Sequence, residues 1–295
     1  MMKKKDVIAQ LIARYCHIFR CPVCGNAMTM DTATLVCAKR HTFDLARRGY
    51  LNLLLRPTRT RYDTTMLTAR QTLCRNGFFA PLTETMRDII MQETARRSHL
   101  SPAVILDAGC GEGTHLRQLT DALQQALPGR FQGVGLDISK DGIQLAVRDS
   151  WDIIWCVANL SQLPIQEQCC DIVLNILSPA NYDEFRRILS KTGLLIKVVP
   201  GARHLEELRA LMSAGGTQKP SSPERVIQHF STSCALRDTH HLTYTAALKS
   251  EQVAQLLTMT PLAWNADDEQ RERVLGVGLS EITVDVHILA GWMPA

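Results

Sequence analysis

Four residues near the start of the chain have the types and spacing of a metal site. Cys21-Pro22-Val23-Cys24-Gly25 is followed, after a short interval, by Cys37-Ala38-Lys39-Arg40-His41. A Cys-x-x-Cys turn can aim two thiolates at one ion, and Gly25 lets the chain fold back behind it. Zinc accepts a tetrahedron of three sulfurs and one nitrogen, and four protein ligands leave no open position for chemistry. Cys21, Cys24, Cys37 and His41 therefore predict a structural Zn2+, one that lets a segment too small for its own core fold. The competing reading, a redox pair Cys21/Cys24, lacks a thioredoxin-like strand and helix around it. The other seven cysteines are scattered, often within apolar runs, and read as small buried hydrophobes.

A second stretch carries different chemistry: Val104-Ile105-Leu106-Asp107-Ala108-Gly109-Cys110-Gly111-Glu112-Gly113-Thr114. A branched apolar run predicts a buried strand, three alternate glycines a tight turn, and Leu116, Leu119, Ala122, Leu123 and Leu127 an amphipathic helix. Strand, glycine turn and helix together make a nucleotide-type pocket at the carboxyl end of a sheet. No Lys-Ser/Thr pair closes the loop, which excludes a P-loop, and the glycine spacing is not that of dinucleotide binders. The loop resembles motif I of class I S-adenosylmethionine (SAM) methyltransferases, Asp-x-Gly-x-Gly-x-Gly. Asp107, Gly109 and Gly111 are thus candidate cofactor residues. Phe131–Leu136 predicts a second strand ending in Asp137, a carboxylate placed to accept from both ribose hydroxyls. After a third strand, Ile153–Val157, comes Asn159, in the loop that edges the adenine in class I enzymes.

Further elements frame these residues. Helical patterns run over Val7–Ile18, Asp63–Arg75, Leu82–Ala95 and Ile138–Val147. Strands are predicted at Asp171–Ile176 and Leu194–Val199, and at the period-2 run Ile282, Val284, Val286 and Ile288, expected to be antiparallel. The expected organisation is a zinc-binding, RNA-recognition module over residues 1–56, a linker with helices over 57–100, and a methyltransferase domain over 101–295. Residues 214–223 read as a loop. The fold expected is α/β, a Rossmann-like methyltransferase sheet with a small N-terminal zinc module.

Charge divides the chain. Residues 1–75 hold 14 Lys/Arg against 4 Asp/Glu, and the rest 19 against 25. A basic front on an acidic body suits a polyanionic partner. Arg47, Arg48, Arg56, Arg59 and Arg61 lie close to aromatics, a pattern compatible with nucleic acid. No apolar run approaches the ~18 residues of a membrane span, and the basic start, broken by Arg14, His17 and Arg20, does not make a signal peptide. A cytoplasmic protein is expected.

Taken together, the chain resembles the bacterial 23S ribosomal RNA guanine-N1 methyltransferases over nearly its full length. The resemblance rests on the Cys-Pro-x-Cys and Cys37-x-x-x-His41 blocks with Phe43-Asp44, on Gly49-Tyr50-x-Asn52-Leu53-Leu54, and on Asp63-x-x-Met66-x-x-Ala69-Arg70. It continues through the glycine loop, Gly135-Leu136-Asp137-Ile138-Ser139-Lys140, Pro200-Gly201-x-Arg203-His204-Leu205, and Met259-Thr260-Pro261-Leu262-Ala263-Trp264. It implies SAM-dependent methylation of guanine N1 in a hairpin of 23S rRNA, zinc on the four ligands above, and a homodimer whose zinc modules flank an RNA cleft. It also implies cofactor contacts at Gly111, Glu112, His204 and an aromatic falling on Phe79, where the family commonly has tyrosine. The loop Ser178-Pro179-Ala180 departs from the family pattern. No catalytic base is identified; Asp171 and Asp183 are the carboxylates considered. The alternatives are a SAM-dependent methyltransferase for a small molecule or protein, and a non-catalytic zinc-ribbon RNA-binding protein.

Overall fold

The computed structural model describes residues 4–58, 60–95, 102–212 and 222–293; Arg59 and most of the 214–223 loop fall outside them. Helix α1 (Lys4–Tyr15) buries Ile8, Ala9, Ile12 and Tyr15, which share one helical face. A short 3-10 turn leads to strands β1 (Met28–Asp31), β2 (Thr34–Cys37) and β3 (Thr42–Asp44), an antiparallel sheet with Met28 opposite Cys37 and Val36 opposite Thr42. The next strand, β4 (Leu51–Asn52), leaves this small sheet and pairs in parallel with the large one.

Helices α2 (Thr64–Arg75) and α3 (Ala80–Ala95) follow. Asp63 caps α2 by accepting a 2.8 Å hydrogen bond from the Met66 amide. The alternating core then runs β5 (Ala103–Ala108), α4 (Thr114–Ala126), β6 (Phe131–Asp137), α5 (Lys140–Asp149), β7 (Ile154–Val157), β8 (Cys170–Ile176), α6 (Tyr182–Ile188) and β9 (Leu189–Pro200). Beyond it lie α7 (Glu206–Met212), α8 (Pro223–Ser233), β10 (Ala235–Ala247), α9 (Ser250–Met259), α10 (Asp268–Gly276) and β11 (Glu281–Trp292).

Among the described residues the large sheet has eight strands in the order β10-β11-β9-β8-β5-β6-β7-β4. All neighbours from β9 to β4 are parallel, and β11 runs antiparallel between β9 and β10. The central strands are buried on both faces, which explains their continuous apolar runs. The expected antiparallel last strand is present, but its alternation misleads. Thr283 and Asp285 are buried like their apolar neighbours, because α7 covers that face and Glu207 accepts a 2.9 Å hydrogen bond from the Thr283 amide.

One continuous core joins the N-terminal module to this sheet. Phe19 bridges Ile165, the Arg20 amide donates to the Pro164 carbonyl at 3.0 Å, and Lys4 Nζ donates to the Val147 carbonyl at 2.7 Å. Among the described residues no helix is long and apolar enough to cross a membrane.

Candidate metal centre and cofactor cavity

The four predicted ligands converge. One ligand atom from each of Cys21, Cys24, Cys37 and His41 lies within 4.8 Å of the others. Cys24 Sγ and Cys37 Sγ are 3.6 Å apart, and His41 Nδ1 is 3.5 Å from Cys21 Sγ and 3.4 Å from Cys37 Sγ. A tetrahedron with Zn–S near 2.3 Å and Zn–N near 2.0 Å has edges of about 3.5–3.8 Å, so the donor set fits zinc. Backbone turns set it up: the Gly25 amide donates to the Cys21 carbonyl at 2.8 Å, and the Arg40 amide to the Cys37 carbonyl at 2.8 Å. All four positions carry protein ligands, so such an ion is structural.

The second site lies where β5 has β6 on one side and β8 on the other, at the strands' carboxyl ends, the usual crevice of open α/β sheets. A cavity of about 710 Å³ opens there, lined by Gly109, Gly111, Asp137 and Asn159. Asp137 sits at the end of β6; its Oδ2 accepts from the Gly111 amide at 2.8 Å and its Oδ1 from the Ser139 amide at 2.7 Å. These bonds fix the carboxylate while each oxygen keeps a lone pair for another donor. The Asn159 Oδ1 accepts from the Ser161 amide at 2.9 Å, so its amide nitrogen is the end left for a ligand.

The glycines divide the work. At Gly113, with φ +81°, a Cβ would stand 2.5 Å from Trp155 Cη2 and 2.7 Å from Ala146 Cβ, so that residue serves packing. At Gly111, with φ +58°, the nearest atom to such a Cβ is Arg70 Nη1 at 3.7 Å. Its open side faces the cavity, where a ligand can approach the backbone.

Two acids lie beneath the loop. Asp107 is buried, and its Oδ1 has no hydrogen-bond partner among the described residues. Burial, helped by the neighbouring Asp137 and Glu112 carboxylates and opposed by Arg70, pushes its carboxyl up to about 7. Glu112 accepts from the Thr114 amide at 2.9 Å and faces Arg70 Nε at 3.5 Å, an ion-pair distance without hydrogen-bond geometry. An unsatisfied buried carboxylate oxygen beside a glycine cradle fits a ligand that brings a donor or a cation, as the amino-acid end of SAM does.

Phe79 and His204 stand elsewhere. Phe79 is buried against Phe78 and His115, its ring 5.0 Å from the imidazole, and does not line this cavity. His204 lines a neighbouring cavity of about 910 Å³. Its Nδ1 accepts from the Asp285 amide at 3.3 Å, and burial together with Arg209 lowers its pKa to about 4, so the ring is neutral at pH 7. The two cavities share the wall Leu177, Ser178, Pro179 and Ala180, with Tyr182 and His229.

That wall is held by residues the sequence reading passed over. Asn175 donates to the carbonyls of Ala108 (2.8 Å) and Pro179 (3.0 Å). Lys197 Nζ donates to Asn175 Oδ1 at 2.5 Å and to the Ser178 carbonyl. Burial lowers the Lys197 ammonium to about 8. A signal existed: Lys197 is the one charge in Leu194–Val199, and a lysine inside a buried strand needs partners. The two carboxylates considered as bases separate. Asp171 accepts from the Val104 amide at 2.9 Å and belongs to the sheet, whereas Asp183 lines the first cavity, paired with Arg186 at 3.4 Å.

Comparison with known proteins agrees with this architecture. Residues 19–58 match the zinc-ribbon family described as "RlmA, N-terminal", and residues 105–195 match "Methyltransferase domain". The chain is 38% identical over 280 residues to the Bacillus subtilis (strain 168) protein named "Putative 23S rRNA (guanine-N(1)-)-methyltransferase YxjB", covering 93% of this chain and 96% of that one. It is 34% identical over 284 residues to the Streptomyces fradiae "23S rRNA (guanine(748)-N(1))-methyltransferase", covering 93% and 95%. Among solved structures, the MccD protein is 15% identical, with a TM-score of 0.48 over 72% of this chain and 98% of its own. With its zinc ribbon, its methyltransferase domain and relatives matched over 93% of its length, the chain belongs to the 23S rRNA (guanine-N1)-methyltransferase family.

Proposed function

We propose that this protein methylates N1 of a guanine in a hairpin of 23S ribosomal RNA, using SAM. The observation that carries the reading is the pairing, on one core, of a zinc-ligand cluster in a basic N-terminal module with a glycine-loop cavity lined by Asp137, with the unsatisfied Asp107 buried beneath the loop. Residues 1–56 serve as the RNA-recognition module, 57–100 as the connection, and 101–295 as the methyltransferase domain. The protein acts in the cytoplasm, as a homodimer.

SAM, when bound, supplies a methyl carbon made electrophilic by a sulfonium. Asp137 would orient the ribose, Gly111 would let the backbone approach the tail, and Asn159 would border the adenine. The 177–180 wall divides this cavity from the larger neighbour, which would receive the base. Positioning of this kind is worth up to about 7–11 kcal/mol when geometry is ideal. Guanine N1 carries a proton that must leave; no base is assigned, since of the two carboxylates considered Asp171 belongs to the sheet and Asp183 lines the cofactor cavity rather than the one that would receive the base. Turning the base out of its stack costs a few kcal/mol, roughly, which contacts in the second cavity would offset. Neutral His204 can offer a hydrogen bond there without adding charge.

The test is methyl incorporation into unmodified 23S rRNA, mapped by the reverse-transcription stop that a blocked Watson–Crick edge causes. A single stop at a hairpin guanine is expected. Replacing Arg47 and Arg48 by alanine should weaken RNA affinity and lower its salt dependence, with SAM binding intact. Absence of any stop, or incorporation indifferent to RNA sequence and to both arginines, refutes the proposal.

A further inference from the structure

The block Asp63-x-x-Met66-x-x-Ala69-Arg70, described so far only through Arg70 beside Gly111 and Glu112, builds one side of the cavity. Capped by Asp63, α2 buries Met66, Leu67, Leu73 and Cys74 and turns Arg70 toward the glycine loop. Leu67 and Arg70 both line the cavity. Arg70 Nη1 lies 3.7 Å from where a Gly111 Cβ would be, on the one open side of that loop, and Arg70 Nε is 3.5 Å from Glu112 Oε1.

The charges around this end are lopsided. Asp107, Glu112 and Asp137 all lie close enough to influence Arg70, and among the described residues Arg70 is the cation that acts on all three, with Arg75 reaching Glu112 as well. The cavity's other lining arginine, Arg186, is engaged by Asp183 at 3.4 Å and by the Ser233 carbonyl at 3.1 Å. SAM carries a carboxylate and an ammonium on one carbon. Asp137 marks the ribose end and Gly111 adjoins it, so the amino-acid tail must run along the open side of Gly111, toward Arg70. A guanidinium fork matches a carboxylate in shape and charge; Arg70 also hydrogen-bonds the Cys74 side chain beneath it, while its Nη1 stands on the cavity side, next to Gly111.

We propose that Arg70, delivered by a helix outside the methyltransferase sheet, is the anchor for the amino-acid carboxylate of the cofactor, with Asp107 and Glu112 balancing the ammonium beside it. This rests on the SAM reading above. It makes α2 part of the binding site: without that helix, the adenosine half would keep its contacts and the amino-acid half would lose its charged partner.

Calorimetric binding to the full-length protein tests this without turnover. Two probes are used: S-adenosylhomocysteine, which keeps the amino-acid tail, and 5′-methylthioadenosine, which keeps the adenosine and thioether and lacks the tail. Arg70→Met should weaken S-adenosylhomocysteine by about 10- to 100-fold, the worth of charged hydrogen bonds, and leave 5′-methylthioadenosine within about twofold. Arg70→Lys should restore part of the loss. On the unmutated protein, decarboxylated S-adenosylhomocysteine gives the same comparison and needs no variant to fold. Equal weakening of both probes in Arg70→Met, or no preference of the unmutated protein for the carboxylate, overturns the assignment. Binding of neither probe by the unmutated protein refutes the SAM reading itself, a result distinct from the other two.

Discussion

Two glycines two positions apart should fail in opposite ways when given a methyl group. In Gly113→Ala the new Cβ would meet Trp155 Cη2 at 2.5 Å and Ala146 Cβ at 2.7 Å. Trp155 is 1% exposed and its indole N–H donates to Ser150 Oγ at 3.2 Å, so the ring has nowhere to swing. Left-handed backbone costs alanine about 1–2 kcal/mol, and overpacking of this kind adds about 1–3 kcal/mol. The expected loss is about 2–5 kcal/mol, a large share of the ~5–15 kcal/mol typical of a folded protein. Gly111→Ala carries only the backbone cost of about 1–2 kcal/mol, since its nearest neighbour is 3.7 Å away. Its methyl instead intrudes on the cofactor's approach. Urea unfolding should therefore rank Gly113→Ala well below Gly111→Ala, while calorimetry with S-adenosylhomocysteine shows the larger affinity loss, among variants that still fold, in Gly111→Ala. Adding Trp155→Phe to Gly113→Ala should return part of the stability, measured against Trp155→Phe alone. If Gly113→Ala unfolds within about 1 kcal/mol of the unmutated protein, or Gly111→Ala binds the probe normally, the division of roles is wrong.

Three further outcomes follow from other parts of the molecule. Removing the metal with a chelator, or replacing Cys37 by serine, should lower a single cooperative melting transition; an independent early transition with an unaffected main one would show that the module and sheet do not share a core, and zinc content by mass spectrometry confirms the loss. Lys197→Met leaves Asn175 Oδ1 and the Ser178 carbonyl without their donor, at about 1–3 kcal/mol each; methyl transfer should fall further than S-adenosylhomocysteine affinity, and equal losses would remove the case for Lys197 as a positioning residue. Burial pushes the Asp285 carboxyl upward, but the Arg203 amide, His241 and Thr243 outweigh it and hold the group below the usual carboxylate range. The stability it gives is then complete above that range and disappears as pH falls through it. Asp285→Asn should flatten this acid limb in urea unfolding between about pH 2 and pH 5, and an unchanged limb would contradict the assignment.

What the sequence revealed follows from how local each signal is. The zinc ligands sit in two short turns whose spacing constrains them directly. Asp107, Gly111 and Asp137 belong to strand–turn–helix units in which burial, bend and cap occupy neighbouring residues. Strand β10 was not legible, since its edge position leaves much of it exposed and only its second half, at Leu242, Tyr244 and Ala246, alternates, after a polar start rich in Asp, Thr and His. Lys197 and Asn175 were hidden for a different reason: each looks out of place alone and makes sense only beside the other, 22 positions apart. The period-2 run Ile282, Val284, Val286 and Ile288 says nothing of the opposite face, where the turn at Gly201 and Arg203 closes over Asp285. Arg70 was visible within a block, but only the packing of α2 reveals that it overhangs the loop.

Strand β4 is only two residues long, yet it hydrogen-bonds beside β7 at the outer margin of the sheet. It screens a row of backbone groups that would otherwise invite pairing with another chain. It also ties the N-terminal module to the sheet through backbone pairing with Cys156 and Val157. Under the proposed activity, the span from metal cluster to reaction pocket becomes a fixed caliper. A hairpin would then be chosen by how far its guanine stands from the clasped stem, as well as by the base itself, and lengthening that stem by a single base pair should carry the nucleotide out of register.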